Sequence, residues 1–532
     1  MVTNQSMIGY IKDKVTDLNE KKLVYFNRSF TMQQVLTDVK CVGTFLKYNG
    51  VKKGDSVIIC LPNFVQAVIS FYAINSIGAI ADIVHPKIGT EGLVNIIKET
   101  NTKWVFLYDK FYKEHGKALN NCGAKTIKCS ATDYLFGEIK NKNHKPYILK
   151  ESSVNYKKIL VAPSEYNEDI KGEDTAVYLH SSGTTGKPKI VLLSNYAMNE
   201  LVKNTYGAVK DNTYLPRTSG MLMTLPVFHG FGLGICMHLM MYLGNIVLQP
   251  VFNAKKTVKI MKSQEVNLLC LVPNMLRKLL VTKGFVGEHL KNIEKIFVGG
   301  DKLDENLRKK AQEVLLKSGS KGVICEGFGL SETASVTHIN TDCKEGGTVG
   351  KPIPNVYVKI MDGDKELPPM QEGAVYISSN SIMTGYLNDN SKNLIITDEN
   401  GRKWLDTGDI GYVDEEGFFY YKGRQKRMLK IGGVNIFPQE IEAVACSIPQ
   451  VKNACAVRTT LDNKPIIKLL LVLQDGEKLT NSLKQKICDN IRSHILPYAV
   501  PRIIETVDSF VMTGMAKTDY RYYEEKENNK NK

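Results

Sequence analysis

The sequence predicts an α/β protein. A large N-terminal part over 1–422 holds two αβα sheet subdomains and a small β-barrel-like unit, and a separate small α+β domain occupies 423–532. Three observations carry this. Apolar runs of strand length alternate with helix-spaced runs over 53–109 and again over 266–325. The period shortens to strands and turns over 349–421, and beyond Gly423 a new alternation fills about a hundred residues, an ordinary domain size. At 532 residues, 43% of them apolar, the chain is too long for one core and has material for several.

Taken in order, 56–61 is a first apolar strand, and Asn63 stands as N-cap to a helix with Phe64, Val68, Phe71 and Tyr72 at helical spacing. Residues 79–84 form a second strand, Thr90 caps an amphipathic helix to Lys98, and 104–108 is a third strand. Such a βαβαβ run predicts a parallel sheet covered on both faces. Residues 110–172 are polar and irregular and predict no element. A helix is expected over 195–203. The uncharged run 231–248 has membrane-spanning length but holds His238, Asn245 and three glycines, so a buried helix followed by a strand is expected. Strands at 266–271, 295–298 and 322–325 then alternate with helices at 274–280 and 305–317. In the last domain Pro438 opens a helix at a position where its missing N–H costs nothing. Strands at 454–458 and 466–473 and a helix at 482–494 follow, and the charged tail 524–532 reads as disordered.

The 11 cysteines form no CxxC pair and no regular spacing, which suits reduced, buried thiols and a reducing cytosol rather than a disulfide or zinc framework. The first twelve residues show no basic segment followed by an apolar core, so no secretory leader is expected. Lys and Arg number 70 against 55 Asp and Glu, a net charge of +15. The lysines are scattered among acids without interleaved aromatics, a poor footprint for nucleic acid.

One stretch stands apart: HSSGTTGKPK at 180–189, between the apolar runs 175–179 and 190–193. Its ten residues hold four hydroxyls, two glycines and two lysines, a set that can offer hydroxyl and backbone donors to an anion. It is not a Walker A loop, because only Thr184 and Thr185 separate Gly183 from Gly186, and Pro188 follows Lys187. A plain polar hairpin turn is the alternative.

Residues 181–189 closely resemble the signature of the adenylate-forming superfamily: acyl- and aryl-CoA ligases, luciferases and the adenylation domains of peptide synthetases. Such enzymes activate a carboxylate with ATP as an acyl-adenylate and pass the acyl group to a thiol. The resemblance implies that Ser181, Ser182, Gly183, Thr184, Thr185, Gly186 and Lys187 hold nucleotide, with Gly299 and Gly300 further along. EGFGLSE at 326–332 resembles a second motif, which would place Glu326, Gly327, Phe328, Gly329 and Ser331 at the nucleotide. Phe328 would stack on adenine, Ser331 contact phosphate, and Glu332 supply the oxygen ligand that Mg²⁺ prefers. LDTGDIGY at 405–412 resembles the ribose motif, making Asp409 the acceptor for the ribose hydroxyls, and Arg424 is similar to an arginine that also reaches the ribose. GRQKRMLKIGGVNIFPQEIE at 423–442 resembles the hinge and thioester-step motif, with Lys426 at the hinge, Lys430 and Gly433 facing the second half-reaction, and Glu440 and Glu442 on the next helix. DSFVMTGMAKTDYR at 508–521 resembles the C-terminal motif, whose lysine, Lys517, would bridge carboxylate and phosphate. Ala516 and Val511 stand where Gly and Pro are more usual.

Five motifs in order across 50–521 identify the chain as a member of this superfamily, with an AMP-binding N-terminal domain and a small mobile catalytic lid. Amino-acid-activating members usually place an Asp in the segment matching Phe228-His229-Gly230. His229 there favours an acid without an α-amine and resembles acyl- and aryl-CoA ligases, although a histidine packed beside Phe228 is the alternative. Gly230, Gly232 and Gly234 would remove bulk near the carboxylate and leave a tunnel, pointing to fatty acids. The implied catalytic set is Lys517, Glu332, His229 and Lys430, with ATP, Mg²⁺ and CoA required. A carrier-protein phosphopantetheine is the other possible acceptor, and neither nucleic acid nor an integral membrane segment is expected.

Overall fold

The computed structural model describes residues 3–136, 144–164, 169–181, 189–210, 220–388, 394–431, 434–461, 464–495, 497–512 and 518–530. Strands Ser56–Cys60, Ile80–Ile83 and Trp104–Tyr108 pair in parallel and are joined by helices Val65–Ser76 and Thr90–Thr100, as the alternation predicts. They form the middle of an eight-stranded sheet. From one edge its order is Gly385–Tyr386, Lys189–Ser194, Thr175–Ser181, Ile80–Ile83, Ser56–Cys60, Trp104–Tyr108, Lys125–Cys129 and Ser153–Asn155. The last two strands and helix Tyr112–Asn121 lie in the region expected to be irregular. Short strands of Lys, Thr and Ser give no alternation strong enough to read.

The second sheet has nine strands in the order Lys351–Pro352, Val336–Ile339, Val323–Gly329, Lys295–Gly299, Leu268–Leu271, Gly220–Met223, Asn245–Leu248, Lys21–Tyr25 and Arg28–Thr31. The predicted helices appear as Pro273–Leu280 and Glu305–Lys317, and the strand expected to end at 325 runs on to Gly329. Helix Val65–Ser76 lies between the two sheets. Residues 65–75 are all buried, because the helix is apolar around its circumference and meets protein on every side. A six-stranded antiparallel unit over Val356–Arg424 adjoins, with Val375, Ile377 and Phe419 in its core.

Two caps are corrected. Phe64 is the N-cap of helix Val65–Ser76 with no side-chain bond, and Asn63 is used differently. Its buried amide donates to Leu225 O (3.0 Å) and Gln249 O (3.2 Å), and its Oδ1 accepts from Val227 N (3.0 Å), tying one sheet to the other. Gly89 caps helix Thr90–Thr100, and the Thr90 hydroxyl pairs instead with His115 Nδ1 at 2.8 Å. The run 231–248 is, as expected, a helix and a strand: a π-helix Phe231–Leu239, one α-turn Met240–Leu243 and strand Asn245–Leu248. Among the described residues no helix is long and apolar enough to cross a membrane. All 11 cysteines are free thiols.

Beyond Gly423, helix Pro438–Cys446, strands Val451–Leu461, Lys464–Leu473 and Ile503–Thr506, and helix Asn481–His494 enclose a core of Ile441, Leu469, Leu471, Ile487 and Ile491. The tail expected to be disordered is helix Tyr520–Lys530. Tyr523 and Glu527, four residues apart on one face, explain it. Tyr523 packs on Cys455, Val457, Leu470 and Phe510. Glu527 takes Lys468 Nζ at 3.1 Å and the Thr459 hydroxyl at 3.1 Å, all three buried. Lys468 also pairs with Glu505 at 2.8 Å, so Glu527→Ala leaves the buried ammonium one partner and removes its hydrogen bond to the tail. It should lower stability by about 2 kcal/mol in urea unfolding; an unchanged midpoint would mean that the tail is not docked.

Candidate active site

Of the predicted residues that are described, Ser181, Gly299 and 326–329 stand at the C-terminal ends of strands in the two larger sheets, the usual place for a ligand in such folds, and Asp409 and Arg424 stand on the antiparallel unit. Strands Thr175–Ser181 and Lys189–Ser194 form an antiparallel hairpin, with Ser181 opposite Lys189. Residues 182–188, which hold Ser182, Gly183, Thr184, Thr185, Gly186 and Lys187, lie outside the described residues. Strand Val323–Gly329 carries Glu326, Gly327, Phe328 and Gly329 to this edge, and Gly299 pairs in register with Gly327. Gly329 is required by close approach, since a Cβ there would fall 1.9 Å from Ser335 O. Gly300 sits at φ +79°, a left-handed conformation that glycine adopts without strain. Ser331 and Glu332 follow in the short turn Ser331–Thr333.

Glu332 is linked to the hairpin through a residue the sequence gave no sign of. The Tyr386 hydroxyl donates to Glu332 Oε1 at 2.8 Å, and Lys189 Nζ lies 4.4 Å above the centre of the Tyr386 ring. Tyr386 is held there because Gly385–Tyr386 pairs with Lys189–Ser194 and Met383 N donates to Glu332 O at 2.8 Å. Phe328 packs at 5.3 Å from Phe419 and 5.5 Å from Tyr421, ring centre to ring centre, on the strand that ends at Arg424. Glu326 does something else with its side chain. It is buried, accepts from Leu303 N at 3.0 Å, and burial pushes its carboxyl up to about 8, against the pull of that hydrogen bond.

Asp409 and Arg424 face each other across the pairing of strands Lys403–Val413 and Phe419–Arg424. Asp409 is 1% exposed, and Arg424 Nε lies 3.0 Å from its Oδ1. The approach is off the line of a hydrogen bond, so neither carboxylate oxygen receives one among the described residues. The Thr407 hydroxyl is already given to Val375 O at 2.7 Å, and Arg424 Nη1 to Thr407 O at 2.8 Å. Burial raises the Asp409 carboxyl to about 6; Arg424 opposes the rise and Glu332 adds to it. A dry carboxylate that receives no hydrogen bond has room for donors from a ligand.

On the other side, His85 follows strand Ile80–Ile83 and packs 4.3 Å from Phe228, whose ring is 5.0 Å from that of His229. This contact joins the edges of the two sheets. Lys87 N donates to His85 Nδ1 at 2.9 Å, and burial, then Lys87, lowers the His85 pKa. The glycines here do not open a tunnel. A Cβ on Gly230 would lie 2.7 Å from Ala334 O, on Gly232 2.0 Å from Pro226 O, and on Gly234 2.6 Å from Leu201 Cδ2. They let the π-helix close onto its neighbours, which withdraws the glycines as an argument for a long acid.

Glu440 and Glu442 are occupied within the fold. Glu440 pairs with Lys422 at 3.3 Å, and Glu442 with the buried Arg427 and with Ala456 N. Lys426 lies in the short turn Gln425–Arg427. Lys430 is on strand Leu429–Ile431, while its side chain, Gly433 and Lys517 lie outside the described residues.

Residues 13–387 match the AMP-binding enzyme family, and residues 440–517 match the AMP-binding enzyme C-terminal domain. The chain is 26% identical to a long-chain-fatty-acid–CoA ligase of Bacillus subtilis (strain 168), over 97% of this chain and 93% of that one. It is 28% identical to a 4-coumarate–CoA ligase-like protein of Arabidopsis thaliana, over 93% and 85%. The crystal structure of an anthranilate CoA ligase in complex with anthranoyl-AMP has the same fold, with a TM-score of 0.85 over 99% of this chain and 98% of the other at 20% identity.

The buried carboxyl sets a pH dependence. Between about pH 4 and pH 6 folded Asp409 keeps a proton that the unfolded chain has released, so this group's contribution to stability falls as pH rises through that window. Wild type minus Asp409→Asn in unfolding free energy should become more negative by about 3 kcal/mol from pH 4 to pH 7 in urea titrations. A difference that does not move with pH would contradict burial as the cause.

Proposed function

The chain belongs to the AMP-binding enzyme family and is an adenylate-forming, AMP-releasing acid–thiol ligase, and we propose on that premise which residues do the work and on what acid. The observation that carries the assignment is the buried carboxylate of Asp409 beside Arg424, which receives no hydrogen bond among the described residues and lies near enough to Glu332 to feel its charge, while Glu332 in turn is bonded to Tyr386, whose ring lies against Lys189 of the hairpin. A ribose supplies two hydroxyl donors, which is what Asp409 lacks. Phe328, with Phe419 and Tyr421 behind it, offers an aromatic wall for adenine. The hydroxyls, glycines and Lys187 of 181–187 take the phosphates.

A carboxylate is repelled by triphosphate, so the site must screen charge and align the attack on the α-phosphorus. Glu332, steadied at one oxygen by Tyr386, keeps the other for Mg²⁺, which typically takes only one or two protein carboxylates beside substrate phosphates. When bound, Mg²⁺ neutralises phosphate charge. Lys517 is assigned the carboxylate–phosphate bridge and His229 the acyl side of the site. CoA is the acceptor, with Lys430 and Gly433 serving the thioester step as the domain beyond Gly423 turns about Lys426. The domain boundary is placed at 422/423 and the protein in the cytosol.

The acid lacks an α-amine, because Phe228-His229-Gly230 offers no carboxylate to pair one. A fatty acid is the first candidate: the Bacillus relative is named for long-chain fatty acids, while the plant relative named for coumarate keeps aryl acids next. A panel of fatty, aryl and amino acids in ATP–pyrophosphate exchange, with and without CoA, tests the reading. Exchange with a fatty acid and CoA-dependent AMP release are expected. Exchange with amino acids alone, or acyl transfer only to a carrier protein, would overturn it.

Two substitutions separate the roles. Glu332→Gln, nearly isosteric, should stay folded and lose Mg²⁺-dependent exchange; near-normal exchange would remove it as the metal ligand. Lys517→Ala should slow adenylation by about 10²–10³ while ATP affinity changes much less, since the contact is made mainly in the transition state. Thioester formation from synthetic acyl-adenylate should survive. Intact adenylation with lost thioester formation would reverse that assignment.

A further inference from the structure

Two thiols meet at the strand that carries Glu326 and Phe328, and none of the roles above uses them. Cys325 stands on strand Val323–Gly329, buried, in register with Phe297 of the neighbouring strand. Cys343 stands in the loop that follows strand Val336–Ile339 and is partly exposed. The Asn340 N–H donates to Glu326 O at 2.8 Å, so this loop starts beside Cys325. The Asn340 side chain then closes it: its Oδ1 accepts from Lys344 N at 3.0 Å and its Nδ2 donates to Lys344 O at 2.8 Å. Within that clasp the Cys325 thiol donates to the Cys343 sulfur.

Besides that partner, two features separate Cys343 from a cysteine that merely fills space. Its φ is +53°, a left-handed conformation that is strained for a side chain other than Gly, Asn or Asp. Two cations act on its sulfur, Arg308 of helix Glu305–Lys317 and Lys295, which opens strand Lys295–Gly299, and both are buried. The hydrogen bond from Cys325, then Arg308 and Lys295, pull its thiol below the ordinary cysteine range, against burial and Asp342. Cys325 moves the other way, first because it gives that hydrogen bond and then because it is buried. A partly exposed thiol in electropositive surroundings is the attacking kind, and a protonated neighbour in contact with it is the kind that resolves.

We propose that Cys343 and Cys325 form a peroxide-reactive dithiol, in which Cys343 is the attacking thiolate and Cys325 the resolving thiol. The Cys343 sulfur attacks one oxygen of hydrogen peroxide and the O–O bond breaks. The departing hydroxide takes up the proton that Cys343 released on ionising and becomes water, and Cys343 is left as a sulfenic acid. The Cys325 sulfur then attacks the Cys343 sulfur, the S–O bond breaks, and the thiol proton leaves with hydroxide as a second water. Two thiols thus lose two electrons to one peroxide. The new bond ties the loop closed by Asn340 to the strand that carries Phe328, and Lys344 of that loop is itself held by Asp414 at 2.9 Å. This does not depend on the acid or on the nucleotide roles assigned above.

Peptide mapping of the full-length reduced chain tests this, with hydrogen peroxide as the probe and iodoacetamide to block the thiols that remain. No Lys or Arg lies between 322 and 343, so trypsin releases both cysteines on one peptide, 322–344. After peroxide that peptide should be two hydrogens lighter than its dithiol form and carry no alkyl group. Before peroxide, Cys343 should alkylate about five-fold faster or more than Cys122, Cys446 and Cys488, the other partly exposed thiols. Cys325→Ser should leave Cys343 as a sulfenic acid that dimedone traps, and Cys325→Ala serves if the Ser form does not fold. Cys343→Ser should leave Cys325 reduced under the same peroxide. Alkylation of both cysteines after peroxide, a Cys343 no faster than the three reference thiols, or a Cys325 oxidised as readily in Cys343→Ser would mean a packing pair and overturn the proposal.

Discussion

The carboxylate of Asp409 is out of water, close to one guanidinium, and offered no hydrogen bond among the described residues. A group in that state is tolerated only where the surrounding structure is stable enough to hold it and where a ligand completes it. The rest of the site is built around that constraint. The pairing of Lys403–Val413 with Phe419–Arg424 sets Arg424 opposite Asp409, and the same strand brings Phe419 and Tyr421 against Phe328. The proposed ribose acceptor and adenine wall are thereby fixed by one piece of antiparallel sheet.

The surroundings of Glu332, the proposed metal ligand, are fixed by a second piece. Gly385–Tyr386 adds itself to the hairpin's outer strand, and in doing so carries the Tyr386 hydroxyl to Glu332 and its ring under Lys189. Two side-chain ties then hold the sheets' edges together. Asn63 binds backbone at Leu225, Val227 and Gln249, and His85 packs on Phe228. The proposed acyl side thus lies between two sheets that share one apolar core, with a buried amide and a ring contact tying their edges. Glycines at 230, 232 and 234 serve that closeness rather than an open channel.

Much of this was legible beforehand, and the failures share a cause. The βαβαβ run, the helix at Glu305–Lys317 and the helix opened by Pro438 follow from apolar period and from one residue's missing N–H. The motif residues Asp409, Arg424, Phe328 and Glu332 came from the resemblance of their segments to the family's motifs; the structure sets Arg424 beside Asp409 and Phe328 against Tyr421 of the strand that ends at Arg424. The long-range roles of Asn63 and Tyr386 were not found. Each acts across more than fifty residues of sequence, and a side chain's distant partner leaves no local periodicity. Asn63 was misjudged for the same reason, since an Asn before a helix looks like a cap whether or not its amide is used elsewhere. The tail was misjudged because its charge hides Tyr523 and Glu527, whose partners Cys455 and Lys468 lie on the strands Val451–Leu461 and Lys464–Leu473.

The central claim is that a nucleotide's ribose hydroxyls complete Asp409. Binding of AMP compared with 2′,3′-dideoxy-AMP, in wild type and in Asp409→Asn, tests it most directly. A site built to receive hydroxyls rejects an analogue lacking them, so wild type should prefer AMP by at least about 100-fold. In the Asn variant that preference should largely collapse. Equal affinity of wild type for the two nucleotides would contradict the account.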